Sequence, residues 1–164
     1  MDAGLNTMRR ESQVRQAWGE WLERFPWDHY VTLTFKDKSG PDLARRSFDR
    51  WIRRLEQEAK LPLLWFVGHE NGRLLGRLHL HALVGNTREV SPAVMEKLWT
   101  PGWSRIMPYQ PTLGAAYYVT KYVTKEMLDY DVSPNFKRAL TARDRQFRLG
   151  IAAPTTRTRS RPFR

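Results

Sequence analysis

Two histidines separated by one leucine, His79-Leu80-His81, sit inside an apolar run from Arg77 to Val84. In a strand, alternate side chains share a face, so both imidazoles project together while Leu78, Leu80 and Ala82 face the other way. Neutral imidazole is a common metal ligand, and two on one rigid strand make half of a site. A third ligand lies close in sequence. Glu70 and His69 close the preceding apolar segment, and the turn signal Asn71-Gly72-Arg73 would fold them back beside the histidine strand. The two point to opposite faces and the hairpin register is open, so either can join the pair. Glu70 is favoured on chemistry: an oxygen ligand beside two imidazoles tilts the site toward Mn²⁺ or Mg²⁺. The plainer alternative is a polar strand end facing water.

A second group of reactive side chains lies downstream, in the doublet Tyr118-Val119-Thr120-Lys121-Tyr122-Val123-Thr124-Lys125. On a helix turning about 100° per residue, Tyr118, Tyr122, Lys121 and Lys125 fall within an arc of about 100°. Ala116, Val119, Val123 and Met127 form a separate apolar face. A tyrosine hydroxyl is a poor nucleophile near neutral pH. Neighbouring ammonium groups favour the phenolate and can hold a phosphate oxygen. The competing explanation is an exposed aromatic and basic helix that stacks on bases or covers the core.

These groups need elements to hold them. Val14, Trp18, Trp21, Leu22 and Phe25 recur at helical spacing, and Pro26 ends that helix. Tyr30 to Phe35 is β-branched and aromatic and reads as a strand, with Thr32 and Thr34 on one face. Pro41 to Lys60 is an amphipathic helix with an apolar stripe of Ala44, Phe48, Trp51, Ile52, Leu55 and Ala59. Arg45, Arg46, Arg50, Arg53 and Arg54 lie largely off the stripe, either solvated or flanking a polyanion. Leu63 to Glu70 and Arg77 to Val84 are the next two strands. Ser91-Pro92 starts a short helix, and Trp103 to Tyr109 is an edge strand because of Pro108 and Pro111. The order β-α-β-β-α-β predicts an α+β fold of ferredoxin-like, split βαβ type, a central antiparallel sheet with its first and third strands in the middle. Residues 1–28 form a helix packed on the core, 29–130 the main domain, and 131–164 a basic tail with little capacity to build a core.

The chain has 164 residues, 41% of them hydrophobic, which suits one globular domain. Its net charge of +11 makes a polyanion the expected partner. With no cysteine, disulfides, thiolate metal sites and cysteine nucleophiles are excluded. No apolar run approaches the ~20 residues of a spanning helix. The first residues lack a signal-peptide layout. A cytoplasmic monomer without membrane partners is expected.

Taken together, the Tyr30–Phe35 strand, His79-Leu80-His81 and the Tyr118–Lys125 doublet resemble, in order, the three motifs of HUH endonucleases, the rolling-circle replication initiators (Rep proteins) of plasmids and single-stranded-DNA phages and viruses. The doubled Tyr-X-X-Lys is most similar to the two-tyrosine phage initiators. The resemblance covers roughly Tyr30 to Lys125. It implies that His79 and His81 bind a divalent ion, Mn²⁺ or Mg²⁺, with Glu70 matching the upstream acidic ligand. Tyr118 or Tyr122 would then attack a phosphate to leave a 5′-phosphotyrosine, with Lys121 and Lys125 assisting. The substrate implied is single-stranded DNA at a replication origin, whether open or folded as a hairpin. Candidate contacts to it are Thr32 and Thr34 on the histidine face, Arg73 and Arg77 around the hairpin turn, and Lys137 and Arg138 at the start of the tail. No Walker-type motif is present, so a host helicase and polymerase are expected partners. The rivals are an HUH transposase or relaxase, and a non-catalytic single-stranded nucleic-acid-binding module. The last would carry aromatics on its central strands, where Thr32, Thr34, His79 and His81 stand instead.

Overall fold

The computed structural model of the chain describes residues 12–13, 16–71, 77–111, 114, 130–136 and 138. Helix α1 includes residues 16–22. It is followed by β1 (His29–Thr34), α2 (Pro41–Ala59), β2 (Leu64–Asn71), β3 (Leu78–Gly85), α3 (Pro92–Leu98), β4 (Ser104–Pro108) and β5 (Tyr130–Val132). The strands form one sheet in the order β4-β1-β3-β2-β5, with every neighbouring pair antiparallel. This is the expected α+β, ferredoxin-like arrangement, with β1 and β3 central. Among the described residues, no helix is long and apolar enough to cross a membrane.

Local signals set the helix boundaries. Proline opens α2, and Lys60 leaves it in the left-handed conformation at φ 54°. The Ser91 hydroxyl caps α3 by accepting from Val94 N–H. The apolar stripe of α2 buries Ala44, Phe48, Trp51, Ile52 and Leu55 against Val31, Leu33, Val67, Leu80, Ala82 and Ile106 on one face of the sheet. Trp51 also donates its indole N–H to the Met95 carbonyl, tying α2 to α3. The α2 arginines are exposed on the far side of this layer. Arg45 pairs with Asp131 at 3.5 Å, and Arg54 donates to the Leu98 carbonyl. They serve as a solvated face, separated from the histidines by the sheet.

The histidine face is half covered, not open as expected. A second apolar cluster of Leu22, Trp27, Tyr30, Phe66, Leu83 and Phe136 occupies one end of it. Phe136 is fully buried, and side chains of this size stabilise by roughly 1.5–3 kcal/mol when removed from water. Helix α1 and residues 130–136 supply this cover. The composition of residues beyond 130 reads as a tail, yet Tyr130–Val132 pairs with β2. Ser133 is buried and accepts from Trp65 N–H and Phe136 N–H. A three-residue strand is too short to show periodicity, which is why its sequence gives no warning of it. The Tyr118–Lys125 helix, Arg73, Lys137 and the rest of the tail lie outside the described residues.

His29, at the start of β1, is buried with its Nδ1 2.8 Å from the Thr87 hydroxyl. Burial holds its pKa below the usual 6.5, with Asp28 opposing weakly. The unfolded chain therefore takes up this proton first as pH falls. Stability is intact above pH 6.5 and declines as the pH drops from there toward the lowered folded value. Thermal melts of His29→Asn are expected to lose less between pH 7 and pH 5 than those of the native chain. Parallel losses would show that His29 contributes nothing to the acid limb.

Candidate metal centre

The sheet register assembles the site. On β3, His81 lies opposite Thr32 of β1 and Gly68 of β2, and His79 lies opposite Thr34 and Glu70. Residues directly opposite in an antiparallel pair share a face. Glu70, His79 and His81 therefore project from one side of two adjacent strands. Their candidate ligand atoms all lie within 4.8 Å of one another, with His81 Nε2 3.3 Å from Glu70 Oε2. His69 pairs with Leu80, which puts it on the α2 face. There its Nε2 lies 4.0 Å from Asp131 Oδ2. The choice between Glu70 and His69 that the sequence leaves open is made by register.

Burial is graded across the cluster. His81 is 5% exposed, whereas Glu70 and His79 are half-buried. The apolar cover stops at His81: its neighbour on that face of β3, Leu83, belongs to the second core and His79 does not. A ligand can thus approach from the His79 and Glu70 side against a rigid, dry back wall. Glycine at position 68 adds no side chain between His81 and β5.

The imidazole of His81 is aimed from behind. Its Nδ1 lies 3.0 Å from the Tyr30 hydroxyl and 3.3 Å from the Thr32 hydroxyl. Either hydroxyl can accept from an Nδ1–H, and in that tautomer Nε2 carries its lone pair on the side of Glu70. A hydroxyl holding the far nitrogen of a histidine is the outer support that metal-ligating imidazoles need. Two imidazole nitrogens and one carboxylate oxygen, with one ligand oriented in this way, fit a divalent ion with coordination positions left for substrate.

Tyr30 was not among the sequence candidates. The signal was there, because period-2 alternation puts Tyr30 on the face of Thr32 and Thr34, but a strand-opening tyrosine reads first as core. It is both, being 8% exposed within the second core and in contact with His81 through its hydroxyl. The two threonines have different tasks. Thr32 faces His81, while the Thr34 hydroxyl donates to the Trp103 carbonyl at 3.0 Å and accepts from Trp103 N–H at 3.1 Å. Arg77 is exposed just before β3, and Arg138 is exposed beyond Phe136. Arg105, opposite Thr32 on β4, is an exposed cation on the histidine face that the sequence reading passed over.

Among known protein families, the one described as Replication-associated protein, of the ORF2 type, matches residues 28–127. That span takes in Glu70, His79 and His81 and also the Tyr118–Lys125 doublet. No curated protein and no solved structure matches at a significant level.

Proposed function

The chain belongs to this replication-associated protein family, and from that premise we propose that it is an HUH-type endonuclease of the two-tyrosine kind. It would nick and rejoin single-stranded DNA at a replication origin through a 5′-phosphotyrosine intermediate. The observation that carries this reading is the Glu70, His79 and His81 cluster, on one sheet face with ligand atoms within 4.8 Å of one another. A replication-associated protein that nicks DNA needs such a group, and a passive binding module does not.

Glu70, His79 and His81 would hold one divalent ion, with Mn²⁺ or Mg²⁺ suited to the mixed nitrogen and oxygen donors. When bound, such an ion supplies Lewis acidity to a phosphate oxygen. Tyr30 and Thr32 keep the His81 ring in the required orientation and tautomer. Tyr118 or Tyr122 attacks the phosphorus in line, forming the tyrosyl phosphodiester while the 3′-oxygen leaves and takes up a proton. Lys121 and Lys125 favour the phenolate and balance charge on the phosphate. The remaining tyrosine can attack the regenerated junction, releasing a closed circle. The high net positive charge suits a strand held mainly through its phosphates, with Thr32, Arg77 and Arg138 as candidate contacts. A host helicase and polymerase would supply unwinding and synthesis.

Incubation of the protein with labelled single-stranded origin oligonucleotides and Mn²⁺ is expected to give a protein–DNA adduct that survives denaturation. Chelation with EDTA is expected to remove it. If no single-stranded substrate yields an adduct, or if EDTA leaves its yield unchanged, the proposed chemistry is wrong.

A further inference from the structure

We propose that Trp103 is a stacking platform for one unpaired base of the bound strand, set at the β4 edge of the histidine face. This rests on the reading of the protein as a single-strand endonuclease and adds a residue that positions the substrate. Of the seven tryptophans, Trp103 is the one that stands largely in water, at 59% exposure. A lone exposed aromatic is ordinary on protein surfaces. What is unusual here is how firmly its backbone is held.

Thr34 N–H donates to the Trp103 carbonyl at 2.8 Å, and the Thr34 hydroxyl makes two further bonds to the Trp103 backbone. On either side, Lys36 N–H donates to the Pro101 carbonyl, and the Trp99 indole donates to the Thr34 carbonyl. Gly102 lies so close to β1 that an added Cβ would overlap the Thr34 carbonyl oxygen. Five hydrogen bonds and a close backbone approach thus fix a short loop around an exposed indole. Pre-ordering of this kind lowers the entropic cost of binding.

Register gives the position. Met107 and Arg105 lie opposite Tyr30 and Thr32 on the histidine face, and Trp103 continues that alternation opposite Thr34. Thr34 in turn lies opposite His79, and His79 opposite Glu70. Trp103 therefore belongs to the same cross-strand row as the metal-ligand candidates, two strands away, or roughly 10 Å. A strand whose phosphate sits at the cluster can lay a flanking base on the indole while exposed Arg105 meets its backbone. Base–aromatic stacking tolerates any base, since each has a π-face. The platform would then contribute affinity and placement with little sequence choice.

The test is binding of a short fluorescein-labelled single-stranded oligonucleotide in EDTA, read by anisotropy. Trp103→Leu is expected to weaken binding by roughly 5- to 150-fold, the range for one stacked base. Trp103→Phe should retain most of the affinity. A single abasic position walked along the oligonucleotide should cost the native protein a similar factor at one site and cost Trp103→Leu nothing there. The indole quenching that accompanies binding should be smaller in Trp103→Phe, a comparison that stands even if the leucine variant fails to fold. Native affinity in Trp103→Leu, an abasic penalty that persists in it, or undiminished quenching in Trp103→Phe overturns the proposal. Native protein that binds and shows these effects but forms no adduct with Mn²⁺ refutes the nicking chemistry and leaves the platform standing. Failure of the native protein to bind any single strand refutes both.

Discussion

Replacing Tyr118 and Tyr122 together by phenylalanine is expected to abolish the covalent DNA adduct while leaving single-strand affinity within about two-fold. The change removes two hydroxyls and keeps both rings, so stacking and helix propensity are nearly unchanged. Loss of the adduct with retained binding would isolate the nucleophile from the binding surface. The single variants carry more detail. If the tyrosines alternate, each single variant still attacks once, but the one left with a single hydroxyl cannot both open and reseal a strand. Circular product should then disappear in both singles, while a first adduct survives in at least one. An undiminished adduct in the double variant would place the nucleophile elsewhere and remove the central step of the proposed mechanism.

The second large effect concerns the metal. Outer supports of metal ligands typically account for 10- to 100-fold in affinity, and a ligand itself for more. Glu70→Gln and His81→Ala are therefore expected to weaken Mn²⁺ binding at least about 100-fold by calorimetry. Tyr30→Phe, which removes one hydroxyl from behind His81, should fall in the range of about 10- to 100-fold. His69→Ala should bind as the native protein does, because register turns His69 to the α2 face. Glu70→Gln is the cleaner probe of the ligand set, since its side chain is 26% exposed and its replacement opens no cavity. A parallel readout is thermal. Mn²⁺ at a hundred times its dissociation constant stabilises a folded site by about 2.7 kcal/mol, so the native melting temperature should rise and the Glu70→Gln melting temperature should not. Equal binding in all four variants would mean that the ion sits elsewhere, or that none is held.

Much of this was legible from residues alone, and the reasons are specific. The α2 stripe spans five turns, long enough for a 3.6-residue period to stand clear of chance. The two strands carrying Glu70 and the histidines are apolar, of strand length and separated by a turn signal, so their pairing followed from proximity. Alternation within β3 put His79 and His81 on one face without knowledge of any partner. Less accessible were features that depend on segments far apart in sequence. Phe136 and Leu22 meet over Leu83 and Phe66, and nothing local in either segment indicates which face of the sheet they cover. Trp103 reads as an unremarkable edge aromatic until its backbone is seen bonded to Thr34, 69 residues away.

By itself, the sequence determined the kinds of atom available and the faces they share within each element. It supplied two imidazoles on one side of a strand, a carboxylate one hairpin away, no thiols, and a strongly basic chain suited to a polyanion. These follow from covalent spacing and backbone period, which every local segment carries with it. The tertiary structure decided which side chains meet across elements. Register placed Glu70 beside the pair and sent His69 to the other face, since a slip of one residue reverses every side chain in a strand. Packing from both ends of the chain closed the dry wall behind His81 and set Tyr30 against its far nitrogen. Those choices depend on cooperative burial over distant segments, and no period within one segment encodes them.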